Sequence, residues 1–115
     1  MKVEFYGLKS CDTCKKALKA LAEAGREPVV TDVRADGVPE TALAEWLDRA
    51  GVDALVNRRS TTWRGLSAEE KAEAMTEAGA LALLKANPTL MKRPVIVAGD
   101  ALHIGWTAEA QAALL

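Results

Sequence analysis

The chain opens on Val3-Glu4-Phe5-Tyr6, where apolar and polar positions alternate with the period of two that marks a half-buried strand. The period then lengthens. Cys14, Ala17, Leu18 and Leu21 fall on one stripe of a helix predicted from about Ser10 to Ala24, with Gly25 as its stop. Pro28 to Val33, rich in β-branched residues, predicts a second strand. A helix of crossover length between two strands makes a βαβ unit, whose strands lie parallel and whose connection is right-handed.

The middle of the chain reads as helical. Pro39 stands at a favoured first-turn position, and Leu43, Trp46, Leu47 and Ala50 share a stripe before Gly51 stops the helix. Ser67 and Glu70 have the spacing of a capping box and predict another helix start. Gly79 is expected to break that helix from a further one running to about Ala86. Between these segments Asn57 to Arg64 is polar and basic. The last third returns to strands: Pro94-Val95-Ile96-Val97, a turn at Gly99-Asp100, then Ala101 to Ile104 predict a hairpin. Thr107 can then cap a closing helix to Leu114.

Composition sets the scale. At 115 residues, half of them hydrophobic, the chain is long enough for one domain over 1–115 with a real core, and no repeat or low-complexity linker divides it. A net charge of −1 offers no general attraction to nucleic acid or to an anionic membrane. Trp46, Trp63 and Trp106 are too scattered for a base-stacking face and are expected to pack. No leader pattern precedes the first strand and no apolar run reaches bilayer length, so a soluble cytoplasmic protein is expected, and a monomer.

The chemistry concentrates at Cys11-Asp12-Thr13-Cys14, between the first strand and the first helix. A thiol at a helix N-terminus feels unpaired N–H groups and the positive end of the helix dipole, which favour thiolate over thiol. Residues three apart share a helix face, and their side chains can approach closely enough for a disulfide. Cys11 is thus the expected exposed nucleophile and Cys14, on the buried stripe, the shielded resolving thiol. Three other readings are weaker. A zinc site lacks ligands, since there is no second cysteine pair and the one histidine, His103, lies in an apolar strand and reads as structural or surface. A stapling disulfide across so short a loop removes little chain entropy. A buried cysteine acting as a small hydrophobe does not explain the pair. In a reducing compartment such a pair cycles. An active thiol after the first strand and a proline opening the third give the arrangement of a thioredoxin-like fold: α/β, with a four-stranded mixed sheet ordered βαβ, helical insertion at about 38–87, then ββα.

Four runs together carry a resemblance to a known family: Gly7 to Ala17 around the cysteines, Asp32-Val33-Arg34, Asn57-Arg58-Arg59-Ser60-Thr61-Thr62-Trp63-Arg64, and Leu90 to Val97. They resemble the arsenate reductase (ArsC) family, most closely its short bacterial branch of Spx-like and reductase-like proteins. The resemblance implies that the nucleophile matches Cys11, and that Lys92-Arg93-Pro94 lies beside it with the proline cis. It implies further that Arg93 and one of Arg58 and Arg59 neutralise an anionic substrate, Arg59 being favoured by its spacing to Thr61, Trp63 and Leu66. Lys9, Lys15 and Lys16 would add positive potential. Glutathione or another small thiol, with glutaredoxin, would serve as reductant, with no resident cofactor. Arsenate-reducing members carry another arginine where this chain has Gly105-Trp106, which puts arsenate itself in doubt. Cys14 recreates the C-x-x-C of Spx-type regulators, which bind the C-terminal domain of the α chain of RNA polymerase and share a glycine matched by Gly51. The sequence therefore supports a thiol oxidoreductase, with a redox-sensing regulator as the alternative.

Overall fold

The computed structural model describes residues 2–115. Four strands, β1 (Val3–Gly7), β2 (Val29–Asp32), β3 (Val95–Ala98) and β4 (Ala101–Ile104), form one mixed sheet in the order β2-β1-β3-β4. β1 is parallel to β2 and antiparallel to β3, which is antiparallel to β4. Together with helices α1 (Asp12–Glu23) and α7 (Ala108–Leu114), this is a thioredoxin-like fold.

Register decides which side chains meet. Phe5 pairs with Val30 on one side and Ile96 on the other, and Ile96 pairs in turn with His103, so these four share one face of the sheet. Val3, Phe5, Ile96 and Ala98 on that face pack with Cys14, Ala17 and Leu21 of α1 and Leu114 of α7 into one buried cluster. Each large apolar side chain so buried contributes roughly 1.5–3 kcal/mol against the entropy of ordering it. The helix therefore presents Cys14 to the sheet because the period of its apolar positions does. Arg26 fixes the far end, its Nε donating to the Leu114 carbonyl at 3.0 Å. These elements, residues up to Asp36 together with Arg93–Leu115, form one compact unit.

Gly37–Lys92 form a second compact unit. It contains α2 (Glu40–Ala50), α3 (Val52–Leu55), α4 (Thr61–Arg64), α5 (Ala68–Glu73), α6 (Glu77–Ala86) and a 3-10 turn at Pro88–Leu90. Leu43, Trp46 and Leu47 of α2 and Ala80, Leu83 and Leu84 of α6 are buried, and the two helices pack together. The capping box has both halves, Ser67 Oγ accepting from the Glu70 amide and Glu70 from the Ser67 amide. Gly51 ends α2 at φ 88° and ψ 161°, a conformation open essentially to glycine. No helix among the described residues is long and apolar enough to cross a membrane.

Three boundaries differ from the pattern's expectation. The first helix begins at Asp12 because Cys11 is still extended. The polar stretch after Asn57 contains the short helix α4, capped by Ser60 accepting from the Trp63 amide. Gly79 does not separate two helices: it is the third residue of α6, and its amide donates to Thr76, the cap. A Cβ at this position would overlap the backbone carbonyl of Glu73, so the glycine serves close approach at the junction of α5 and α6. Helix propensity alone would make Gly79→Ala stabilising by about 1 kcal/mol, whereas this overlap makes it destabilising by about 1–3 kcal/mol. Denaturant unfolding reads the sign, and a gain in stability would mean that the α5–α6 junction has room for a Cβ.

Candidate active site

β1 ends at Gly7, and the turn Leu8-Lys9-Ser10 carries the chain into α1, with the Cys11 amide donating to the Leu8 carbonyl at 3.2 Å. Cys11 is the N-cap, at φ −83° and ψ 119°. It makes no short side-chain capping bond, which leaves the first amides of the helix facing a sulfur that can take up negative charge. Its half-buried position by itself raises the thiol pKa. The Cys14 amide, the Cys14 thiol, the Arg93 guanidinium and the Thr13 amide more than offset this, and Cys11 lies below its ordinary value.

Cys14 behaves oppositely. It is 1% exposed, and burial pushes its thiol up to about 11 despite the Leu8 amide and Arg93, with the neighbouring Cys11 sulfur reinforcing the rise. Both cysteines are free thiols. The slot for Cys14 depends on Gly7, where a Cβ would stand 2.8 Å from the Cys14 sulfur and 2.8 Å from the Phe5 ring. A strand ending in glycine just before a cysteine pair was the available sequence signal for this contact, and periodicity does not reveal it.

Arg93 reaches the thiols through strand register. Tyr6 pairs with Val95, which sets Pro94 opposite the end of β1 where the thiol turn begins. The Arg93–Pro94 peptide bond is cis, and the Pro94 carbonyl accepts from the Gly105 amide at 2.7 Å. Trp106 packs against the cluster that holds Cys14, so this position supplies apolar cover where an arginine would supply charge. His103 lies half-buried on β4, with Nε2 making no hydrogen bond.

The structure thus brings Cys11, Cys14, Arg93 and Pro94 together. Lys9 is exposed, and its charge is partly matched by Asp32. The Asp32 carboxyl is held below its usual value chiefly by the Ala35 amide, then by the Arg34 amide and by the amide and charge of Lys9. Arg58 and Arg59 belong to the Gly37–Lys92 unit, where they line a cleft of about 440 Å³ with Asp53, Val56, Asn57 and Lys92. Arg58 is engaged there, pairing with Asp53 at 2.7 Å and lying 5.8 Å from the centroid of the Trp63 ring.

Arg93→Ala should raise the Cys11 pKa and slow its alkylation at neutral pH, since each unit of increase lowers the thiolate fraction about tenfold well below the pKa. Arg93→Lys should restore part of the rate. Iodoacetamide labelling in a Cys14→Ser background measures both, and equal rates for all three proteins would remove Arg93 from the thiolate's support.

Comparison with known proteins agrees with this geometry. The sequence matches the ArsC family over residues 6–114. An uncharacterised protein of Haemophilus influenzae is 44% identical over 104 residues, covering 90% of each chain. The solved structure of the YFFB protein is 36% identical, covers 99% of each chain and superposes with a TM-score of 0.92. The global transcriptional regulator Spx 2 of Lactococcus lactis is 26% identical over 109 residues, covering 93% of this chain and 81% of its own. With the family matched across nearly its whole length, and the thiol pair and cis-proline in place, the chain belongs to the ArsC family.

Proposed function

We propose that this protein is a thiol-disulfide oxidoreductase that uses Cys11 as nucleophile, Cys14 as resolving thiol and glutathione as reductant. The placement of Cys11 at the N-cap of α1 and of Cys14 one turn on in the core, which lowers the first thiol and raises the second, carries the reading. The Cys11 thiolate attacks one sulfur of a substrate disulfide, forms a mixed disulfide and expels the other sulfur as a thiolate, which takes a proton from solvent. Cys14 is then needed as a nucleophile. Burial and the Cys11 sulfur hold its pKa up, while the Leu8 amide and Arg93 hold it down. Once Cys11 is in the mixed disulfide its negative charge is gone, while the Leu8 amide and Arg93 remain, so Cys14 becomes more acidic at the step that uses it. It loses its proton, attacks the Cys11 sulfur and releases the substrate thiolate, leaving a Cys11–Cys14 disulfide. One glutathione thiolate opens that bond at Cys11, and a second removes the first as glutathione disulfide.

Arginines suit the anionic ends of glutathione, because a guanidinium donates two parallel hydrogen bonds to a carboxylate and stays charged. Arg93, whose charge acts on both thiols, supports this assignment, and Pro94 and Lys9 of the same unit are assigned to the substrate-binding edge beside Cys11. Arsenate is a poor fit. A doubly charged oxyanion near a thiolate needs compensation, and one lost charge-assisted hydrogen bond costs about 1.5–3 kcal/mol. Trp106 brings no cationic charge to this position.

With glutathione disulfide added, Cys14→Ser should accumulate glutathione at Cys11, whereas the parent protein should pass on to a monomeric Cys11–Cys14 disulfide. Intact-mass and non-reducing peptide mapping distinguish the two. Stable glutathionylation of the parent, or modification at Cys14, would contradict the assigned roles. Arsenate turnover with glutathione and glutaredoxin supplied should stay at background.

The likeness to a regulator named Spx, together with the shared cysteine spacing, favours one alternative: a redox switch that binds the C-terminal domain of the α chain of RNA polymerase. Gly51 enters this reading as the shared glycine, although its positive φ already accounts for it. A pull-down with that polymerase domain separates the two. Thiol-state-dependent capture at micromolar concentration supports the regulator, and no capture supports the enzyme.

A further inference from the structure

Met75 connects α5 to α6 and is 57% exposed, an unusual position for a methionine side chain in a domain whose other described methionine, Met91, is 1% exposed. Its sulfur is not idle. Arg58 Nη2 points one of its two hydrogens at Asp53 Oδ1, at 2.7 Å, and lies 3.2 Å from Met75 Sδ with the other. The same guanidinium lies over the Trp63 ring, whose centroid is also 5.9 Å from the Lys71 ammonium. Arg58 lines the cleft shared with Arg59 and Lys92. One exposed thioether therefore touches the guanidinium on which an ion pair, a ring contact and the charge of a cleft converge.

We propose that Met75 is an oxidation site whose state sets the position of Arg58. A thioether is a weak acceptor, so Asp53 dominates Arg58 in the reduced protein. With a peroxide as oxidant, a sulfur lone pair attacks one peroxide oxygen, an S–O bond forms and the O–O bond breaks. Sulfur loses two electrons, and the departing hydroxide takes the remaining proton as water. The product is a methionine sulfoxide, whose oxygen is a strong, dipolar acceptor. At 3.2 Å the gap between Met75 Sδ and Arg58 Nη2 has no room for an added oxygen in line. The oxygen must enter beside the contact, and Arg58 must turn to follow it, loosening its hold on Asp53 and its place over Trp63. The guanidinium that lines the cleft thereby comes under the control of an oxidant, by a route separate from Cys11 and Cys14. Methionine sulfoxide reductases reverse the change.

The test uses the full chain carrying Cys11→Ser and Cys14→Ser, so that thiol oxidation does not intervene. Under dilute hydrogen peroxide, Met75 should gain oxygen at least roughly tenfold faster than Met91, because accessibility governs the rate. As it does so, the Trp63 indole and Arg58 guanidinium NMR signals should shift together, and a mixture of both sulfoxide reductases should return them. Met75→Leu should abolish the shift. Met75→Gln, which supplies an amide oxygen without peroxide, should reproduce its direction. Equal oxidation of Met75 and Met91, or a Met75 sulfoxide that leaves the Arg58 and Trp63 signals in place, would overturn the proposal.

Discussion

The site depends on an electrostatic asymmetry between two sulfurs one helical turn apart. Cys11 sits at the end of α1 where backbone amides have no helical partner, with Arg93 close by; Cys14 sits inside, against Gly7 and Phe5. The same element generates both environments. A helix must bury one stripe and must leave its first amides unpaired, so a cysteine at the cap and another three residues on fall into opposite surroundings without further design. The sheet then supplies what the helix cannot. Pairing of Tyr6 with Val95 sets Arg93 and Pro94 at the end of β1, and Gly7 omits the side chain that would fill the Cys14 slot.

Much of this is legible in the residues, for identifiable reasons. The strands, α1, the hairpin and the closing helix follow from period and caps, because each rests on contacts local in sequence or on a single buried face. The pairing of β1 with β3 is different. It brings Arg93 to Cys11 across some eighty positions, and only the family resemblance pointed to it. The cis form of the Arg93–Pro94 bond was likewise implied by resemblance and is present. Gly79 shows the opposite failure. A glycine in a helical pattern reads as a break, yet the reason for it lies in a carbonyl from the preceding helix, which a pattern along one helix does not contain.

Charge is where sequence reading was least discriminating. Lys9, Arg58, Arg59 and Arg93 look alike as isolated cations, but the structure separates them by partner. Lys9 lies beside Asp32, and Arg58 is held by Asp53, Met75 and Trp63. Arg93 acts on both thiols. These differences follow from which carboxylate or ring the fold places within reach, and the net charge of −1 is silent about them.

The most direct test is a site-resolved titration of the reduced parent protein, following the β-carbons of both cysteines by NMR after selective isotope labelling. Cys11 should deprotonate below the ordinary cysteine value while Cys14 stays protonated until near pH 11. Two thiols titrating together near about 8.5, or Cys14 ionising first, would contradict it.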